Sequence, residues 1–135
     1  MEIRKVRPED RGRVAAFVRG QGMDYAGMER DEFLMAEEGV RLAGAVALRK
    51  HPDCLELRSL CVDEAERGTG LGRRLVEELV RMAGGAVYLA TVIPAFFEKC
   101  GFARTLEVPR GMKKDAAWCE GCDKALCTVM IREVR

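Results

Sequence analysis

A glycine-rich segment near the middle of the 135-residue chain has the composition of an anion-binding turn. It consists of Arg67-Gly68-Thr69-Gly70-Leu71-Gly72 and lies between an apolar run, Leu55 to Val62, and an amphipathic run that begins at Leu71. Glycine lets the backbone adopt positive φ and approach a ligand closely. At the start of a helix, the unpaired N–H groups of the first turn can bind phosphate oxygens. The segment therefore predicts a site for a phosphorylated cofactor.

Three phosphate-binding patterns compete for this segment, beside the simpler interpretation of a glycine-rich turn between strand and helix. A Walker loop requires a Lys-Ser or Lys-Thr pair after its last glycine, and the segment has none. A dinucleotide fingerprint has Gly-x-Gly-x-x-Gly spacing, whereas these glycines follow Gly-x-Gly-x-Gly. The third pattern, Arg/Gln-x-x-Gly-x-Gly/Ala, is matched at every position. The segment thus resembles the acetyl-CoA pyrophosphate loop of the GNAT superfamily of N-acetyltransferases.

Two flanking motifs strengthen this resemblance. Upstream, Leu60-Cys61-Val62-Asp63 resembles the end of the family's fourth strand, whose backbone binds the pantetheine arm. Downstream, Tyr88-Leu89-Ala90-Thr91 and the run Ala95 to Phe102 resemble its fifth strand, the next helix and a Gly-Phe turn. The resemblance implies acetyl-CoA as cosubstrate, with these residues as its contacts: Leu60, Cys61, Val62, Arg67, Gly68, Thr69, Gly70, Leu71, Gly72, Arg73, Thr91, Phe96, Phe97 and Lys99.

The resemblance also implies the fold class, which is α/β (α+β). The GNAT fold has a central mixed, mostly antiparallel sheet of about six or seven strands, flanked by about four helices, with strands 4 and 5 splayed apart. Residues 1–135 are expected to form a single domain of this kind, with a cysteine-containing segment at 109–127 between the last two strands.

Hydrophobic periodicity divides the chain into elements that fit this order. Glu37-Glu38-Gly39 predicts a hairpin turn with solvated glutamates, and Gly84-Gly85 predicts the end of the helix that follows the loop. Strands are predicted at Ile3 to Val6, Phe33 to Ala36, Val40 to Leu48, Cys54 to Val62, Val87 to Thr91, Ala103 to Val108 and Ala125 to Val134, and helices after Pro8, at Leu71 and at Ile93 to Cys100.

Two charged residues on the central strand are candidates for chemistry. Strict alternation along Cys54 to Val62 predicts that Glu56 and Arg58 share one face with Leu60 and Val62. Charged groups on a buried strand require partners, so one interpretation is an internal ion pair. In the other, Glu56 matches the strand-4 glutamate of several GNAT enzymes. It then takes a proton from the acceptor amine, directly or through water, and Arg58 holds a substrate carboxylate.

The acceptor side of the site is less well defined by the sequence. In the GNAT fold the region Met23 to Asp31 walls the acceptor site, so Met23, Tyr25 and Met28 are candidates either for substrate contact or for packing on the sheet. His51, the only histidine, precedes a proline in a predicted turn, and we expect an exposed loop residue rather than a catalytic base.

The motif around Phe97 departs from the family pattern. Many GNAT enzymes have a tyrosine there as general acid, and Phe97 lacks the phenol. Neither Cys100 nor Tyr88 can be assigned that role from the sequence, and the CoA thiolate can leave without a dedicated acid near neutral pH. Together with Leu57 to Val62, the Phe-Phe motif looks most like the acetyltransferase domain of N-acetylglutamate synthase-type amino-acid N-acetyltransferases.

Clustered cysteines near the C-terminus form a second candidate site. Cys119, Cys122 and Cys127 follow Trp118, a tail that some short members of this group also carry. The CxxC spacing of the first two is a zinc half-site, and a closed site would need a fourth ligand, from Asp123, Cys100, Cys54 or His51. A disulfide or redox pair and reduced structural thiols are the alternatives.

Charge and composition limit the classes of partner that the sequence supports. The net charge is +1 and no basic block is present, which gives no electrostatic support for a nucleic-acid or anionic-membrane partner. No apolar run approaches the ~20 residues of a membrane span, and the N-terminus lacks a signal-peptide core, so a cytoplasmic location is expected. The expected partner is a small-molecule amine, and the sequence allows a homodimer.

The leading prediction is an acetyl-CoA-dependent N-acetyltransferase that acts on the amine of a small amino acid or related metabolite. The amine attacks directly within a ternary complex. Acetylation of a protein N-terminus or lysine is an alternative within the same fold. A non-catalytic acetyl-CoA sensor is the alternative from another class.

Overall fold

The computed structural model describes residues 1–23, 28–114 and 127–133. In this part of the chain seven strands form one sheet, in the order β1-β2-β3-β4-β5-β7-β6. Neighbouring strands are antiparallel except for β4 and β5, which run parallel. The predicted mixed, mostly antiparallel sheet is confirmed. Its strands are β1 (Glu2–Lys5), β2 (Glu32–Glu38), β3 (Arg41–Lys50), β4 (Leu55–Val62), β5 (Val87–Thr91), β6 (Ala103–Arg104) and β7 (Thr128–Arg132).

Four α-helices accompany the sheet within the same described ranges, as the fold class predicted. None of them is long and apolar enough to cross a membrane. The helices are α1 (Arg11–Gly20), α2 (Leu71–Ala83), α3 (Pro94–Lys99) and α4 (Arg110–Lys114), and short 3₁₀ turns lie at Pro8–Asp10, Met28–Arg30 and Glu64–Glu66.

Helix α2 packs on one face of the sheet. Its leucines recur every four residues at Leu71, Leu75 and Leu79, and all three are buried. Gly44 on β3 permits the close approach, because a Cβ at this position would lie 2.9 Å from a methyl group of Leu75. The left-handed Gly84 (φ +65°) ends the helix, as predicted.

Helix α1 packs on the opposite face, where Val14 and Val18 join a second hydrophobic cluster with Met35, Ala45 and Cys61. The apolar positions of α1 are spaced four apart, so one stripe of the helix is buried. The sheet therefore separates two cores, and β4 contributes Leu57 to the first and Cys61 to the second.

A charged cluster ties the start of α1 to the edge of the sheet. Arg4 on β1 bonds Asp10 at 2.8 Å and Glu37 at 3.2 Å, and Arg13 on α1 bonds Glu37 at 2.6 Å. The prediction that Glu37 is a solvated turn residue is wrong. Strand β2 extends through Glu38, and the turn lies at Gly39, which has φ +62°.

Strands β4 and β5 are paired only at their starts. Their ladder consists of Leu55 with Val87 and Glu56 with Tyr88, and no further pair follows. From this point the two strands diverge, so the rest of β4 has no hydrogen-bonded neighbour on that side within the described residues. The predicted splay is confirmed, and it opens a gap in the middle of the sheet.

Candidate active site

The glycine-rich segment, which we call the phosphate loop (residues 67–72), follows the 3₁₀ turn Glu64–Glu66 at the end of β4. Gly68 and Gly70 have φ +82° and +87°, a region that L-residues rarely adopt. Helix α2 begins at Leu71 without a side-chain cap on its first turn, so the N–H groups at its start have no partner inside the helix. Backbone donors at a helix N-terminus favour an anion. The predicted phosphate loop thus has the geometry of a phosphate site.

Packing fixes the loop against the sheet. A Cβ on Gly72 would lie 3.3 Å from the ring of Phe96 and 3.7 Å from Val62, so glycine allows α3, β4 and α2 to meet here. Arg67 reaches Gln21 at the end of α1, at 3.4 Å. The loop, the end of β4 and the start of α3 therefore form one continuous surface.

The gap between β4 and β5 opens beside this loop. Asp63 N–H bonds the Ala43 carbonyl on the β3 side at 2.8 Å, so strand alternation directs the preceding N–H, that of Val62, toward the gap. On the other side, the Thr91 hydroxyl accepts the N–H of Ile93 at 3.0 Å and shapes the turn into α3. Val92 and Ile93 in this turn are exposed apolar residues. One edge of the gap is formed by the last three residues of β4, Leu60, Cys61 and Val62. Phe96 of α3 lies near Val62, because both contact the position of Gly72.

Helix α3 places its residues in different environments. Phe97 is buried in the α2-side core, with ring centroids 5.0 Å from Phe96 and 5.9 Å from Phe102. Cys100 lies in the same core, and burial raises the pKa of its thiol. Lys99 is exposed. Phe97 thus packs the core, and Phe96 is the aromatic residue of this motif that lies next to the phosphate loop.

A bulge in β4 changes the expected arrangement of its side chains. Ala45 pairs with Cys61 and Ala47 with Arg58. Three residue steps along β4 therefore lie opposite two residue steps along β3. Ser59 lies in this bulge with φ +52°. The prediction that Glu56, Arg58, Leu60 and Val62 share one face is wrong, because the bulge reverses the alternation. Glu56 and Arg58 lie on the α1 side, whereas Leu60 and Val62 pack with Leu57 on the α2 side.

Glu56 is almost completely buried, with 1% of its surface exposed. Its Oε1 lies 2.7 Å from Nε2 of His51 and 3.1 Å from Nε of Arg58. Arg58 is buried as well. The internal ion pair that the sequence allowed is present, and the candidate base belongs to it.

His51 is the largest departure from the predicted site. We predicted an exposed loop residue, but only 7% of its side chain is exposed and it contacts Glu56. Two features bury it: its N–H closes the turn onto the Cys54 carbonyl at 2.9 Å, and α4 covers the turn. The Asp53 carboxylate accepts the Gly111 N–H at 3.1 Å, and a Cβ on Gly111 would lie 2.6 Å from Cβ of His51.

A second buried ion pair lies beside this group. Arg49, which pairs with Glu56 across β3 and β4, binds the carboxylate of Asp31 just before β2. Both side chains are almost completely buried. On the other side, Tyr88 pairs with Glu56 in the β4–β5 ladder, and burial raises the pKa of its phenol. The phenol therefore stays protonated near neutral pH and can donate a hydrogen bond.

The structure places two of the candidates for the acceptor wall, Met28 and Met23, in different environments. Met28 is buried in the α1-side cluster and also lines a pocket of about 610 Å³, together with Val14 and Phe33. Met23 is partly exposed, and Tyr25 lies outside the described residues. Neither Glu56 nor the phosphate loop lines this pocket, but Asp31, the partner of Arg49, does.

The predicted metal ligands Cys119 and Cys122 lie outside the described residues, and Cys127 is half-buried just before β7. Within the described ranges, no group of three or more His, Cys, Asp or Glu residues is placed to hold a metal ion. Burial raises the pKa of Cys54 to about 11 and that of Cys61 to about 12. Both thiols are therefore protonated near neutral pH.

Sequence reasoning missed three members of the group around Glu56: His51, Arg49 and Asp31. The sequence contains a signal for the position of His51. A buried glutamate five residues after a histidine, across a tight turn, brings the two side chains together. The Asp31–Arg49 pair had no comparable signal, since its members come from a loop and a strand.

Comparison with known proteins agrees with this geometry. The family model described as the acetyltransferase (GNAT) family matches residues 5–102. N-acetylglutamate synthase from Neisseria gonorrhoeae, solved with coenzyme A and N-acetyl-glutamate, superimposes with a TM-score of 0.81 at 21% identity over 99% of this chain, which spans 35% of that protein's length. Rv2747 from Mycobacterium tuberculosis, solved in complex with CoA, gives 0.73 at 22% identity, with 100% of both chains covered. Escherichia coli ElaA superimposes with a TM-score of 0.69 at 17% identity, over 98% of this chain and 99% of ElaA. The chain belongs to the GNAT family of acetyltransferases.

Proposed function

We propose that this chain transfers the acetyl group of acetyl-CoA to the amine of a small amino acid or related metabolite, by direct attack in a ternary complex. One observation carries the proposal: a single strand, β4, has the phosphate loop at its end and a buried carboxylate near its start. The gap between β4 and β5 connects the two. Six residues of strand span roughly 20 Å, which leaves room for an extended cofactor arm. We also propose that residues 1–135 form a single acetyltransferase domain.

Acetyl-CoA would be held mainly by the backbone. The N–H groups at the start of α2 face outward from Gly70, Leu71 and Gly72 and suit the pyrophosphate. Arg67 and Arg73 add positive charge beside them. The pantetheine arm would lie in the gap along Leu60 to Val62, with Thr91 and Phe96 on its other side.

The chemistry requires a neutral amine and a stabilised oxyanion. Glu56 is the carboxylate on β4 that could take the proton of the amine, directly or through one water. The Val62 N–H directed into the gap could donate to the thioester carbonyl, and one such donor contributes about 3 kcal/mol to transition-state stabilisation. Formation of the C–N bond gives a tetrahedral intermediate with this oxyanion, its collapse breaks the C–S bond, and CoA leaves as a thiolate that takes a proton from solvent. No phenol is needed at position 97.

An amino acid is the favoured acceptor because of the charges around Glu56. Arg58 and Arg49 lie beside the carboxylate on the α1 side, where they could balance the carboxylate of an incoming amino acid. The similarity to N-acetylglutamate synthase, whose structure contains N-acetyl-glutamate, supports the same class. Glutamate is the first acceptor to test.

The decisive experiment measures CoA release from acetyl-CoA by the purified chain with free amino acids, polyamines and short peptides, against a reaction without acceptor. Rapid turnover with one or a few amino acids is expected, and the acetylated product should be identified by mass spectrometry. Turnover with peptides alone would replace the proposal with a protein acetyltransferase. Tight acetyl-CoA binding without turnover on any acceptor would contradict catalysis and favour a sensor.

A further inference from the structure

We propose that His51 is a positioning residue for the catalytic carboxylate: its Nε2–H donates to Oε1 of Glu56 and leaves Oε2 to meet the acceptor amine. The inference rests on the proposed function, in which Glu56 is the base. It adds a residue that the phosphate loop and its flanking motifs do not identify.

The contact geometry supports a fixed carboxylate. His51 Nε2 and Arg58 Nε both approach Oε1, at 2.7 and 3.1 Å. An ionised carboxylate only accepts hydrogen bonds, so the imidazole nitrogen in this contact must carry a proton. Oε1 thus accepts the hydrogen bond from His51 and lies against the Arg58 guanidinium, and Oε2 is the oxygen left, in the described part of the chain, for an amine or a water.

Because Glu56 is buried, its carboxylate needs both the hydrogen bond from His51 and the positive charge of Arg58. Glu56 is 1% exposed, and a carboxylate taken out of water is strongly disfavoured unless it is paired and hydrogen-bonded. The base must nevertheless be ionised to accept a proton. The imidazole N–H of His51 and the charge of the Arg58 guanidinium together can keep it so while occupying only one of its two oxygens.

The imidazole itself is held from two directions. The His51 N–H bonds the Cys54 carbonyl and fixes the turn between β3 and β4. Gly111 of α4 packs against the base of the ring, and its N–H is anchored by Asp53. Rotation of the ring away from Glu56 would require α4 to move, so the Nε2 position is predetermined by the fold.

Two substitutions of similar size separate positioning from plain packing. In His51→Gln the amide nitrogen can occupy the place of Nε2 and still donate, whereas His51→Leu fills the space without a donor. We expect His51→Leu to lower kcat by on the order of tenfold, which is less than the ~10²–10⁴-fold contribution of a general base itself. His51→Gln should retain most of the wild-type kcat. The KM for acetyl-CoA should not change in either variant, because the phosphate loop is at the other end of β4.

The single histidine permits a direct spectroscopic test. Imidazole ¹⁵N resonances of the wild-type protein should show a protonated Nε2, and Glu56→Gln should shift them. Lys50→Gln is the matched control, because Lys50 is the neighbour of His51 but is exposed and pairs with Glu32. This control should leave the imidazole resonances unchanged.

The outcomes are distinguishable from failure of the proposed function. Wild-type kcat in His51→Leu, equal damage in His51→Gln and His51→Leu, or an Nε2 without a proton would each overturn the positioning role. A chain that acetylates no acceptor refutes the proposed function. The ¹⁵N spectra then still decide whether His51 donates to Glu56.

Discussion

The two ends of β4 are built in different ways. At its C-terminal end, the phosphate loop consists of consecutive residues, and its chemistry is that of backbone N–H groups. Near its start, Glu56 is surrounded by side chains from a turn, a neighbouring strand and a loop, and the turn is covered by α4. The first arrangement is local in sequence, whereas Asp53 and Gly111 of the second are 58 positions apart. Cofactor binding and proton transfer should therefore respond to different substitutions.

The largest expected effect is at the Glu56 end. Glu56→Gln should lower kcat by about 10²–10⁴-fold, because the amide cannot take the amine proton. The affinity for acetyl-CoA, measured by isothermal titration calorimetry, should stay at the wild-type value. Glu38→Gln, which removes an exposed carboxylate at the end of β2, is the control. A large loss of acetyl-CoA affinity in Glu56→Gln would show that the two ends are not separate.

The cover over His51 gives the next largest effect. Gly111→Ala places a Cβ 2.6 Å from both the Asp53 carboxylate and Cβ of His51, so α4 must shift. We expect a loss of about 1–3 kcal/mol in the free energy of unfolding, together with a lower kcat. Gly12→Ala is the matched control, because a Cβ there meets nothing within 4 Å and alanine favours the helix. Urea unfolding curves compare the two, and equal stability and kcat in Gly111→Ala would contradict the packing.

The phosphate loop should show the opposite pattern. Gly70 has φ +87°, and alanine at such an angle costs about 1–2 kcal/mol. We expect the loop of Gly70→Ala to relax out of this conformation in the free protein, so that binding of acetyl-CoA must restore it and the Kd rises by up to about tenfold, since 1.4 kcal/mol corresponds to that factor. Gly39→Ala introduces similar strain at φ +62° in the β2–β3 turn and should leave the Kd unchanged. Equal Kd values in the two variants would argue against anion binding by the loop.

The smallest effect is expected at the charged cluster between β1 and α1, distant from both ends of β4. The hydrogen bond from Arg4 lowers the pKa of Asp10 from 3.8 to about 2. The ionised carboxylate therefore stabilises the fold above pH ~4, and this contribution is lost as the pH falls toward 2. Asp10→Asn should be slightly less stable than wild type at pH 7, with a smaller difference at pH 3. Thermal melts at both pH values test this, and a pH-independent difference would contradict it.

The parts of the molecule that the sequence predicts are those with local signals. The bounds of β5, the start of α2 at Leu71 and its end before Gly84 follow from periodicity and glycine placement, and the structure confirms them. The splayed strands followed from the family resemblance and are also present. The bounds of β5 and α2 each depend on a short, contiguous segment.

The group around Glu56 was only partly predictable. Its ion pair with Arg58 follows from their spacing on one strand. The burial of His51 depends on α4, which lies some 60 positions along the chain and whose docking has no local signal. The bulge was missed because serine is not a typical residue at positive φ, so nothing marked Ser59 as the point where alternation reverses.

The bulge at Ser59 also constrains how the chain can change in length. Side chains alternate with a period of two, so the number of residues between Glu56 and Val62 decides whether they face the same side or opposite sides. Removing one residue there would restore regular pairing, but with the loop held in place it would turn Glu56 toward Leu75 and the leucines of α2. We therefore expect insertions and deletions in this stretch to be tolerated only in pairs, because the odd residue sets the side of the sheet on which the proposed base lies.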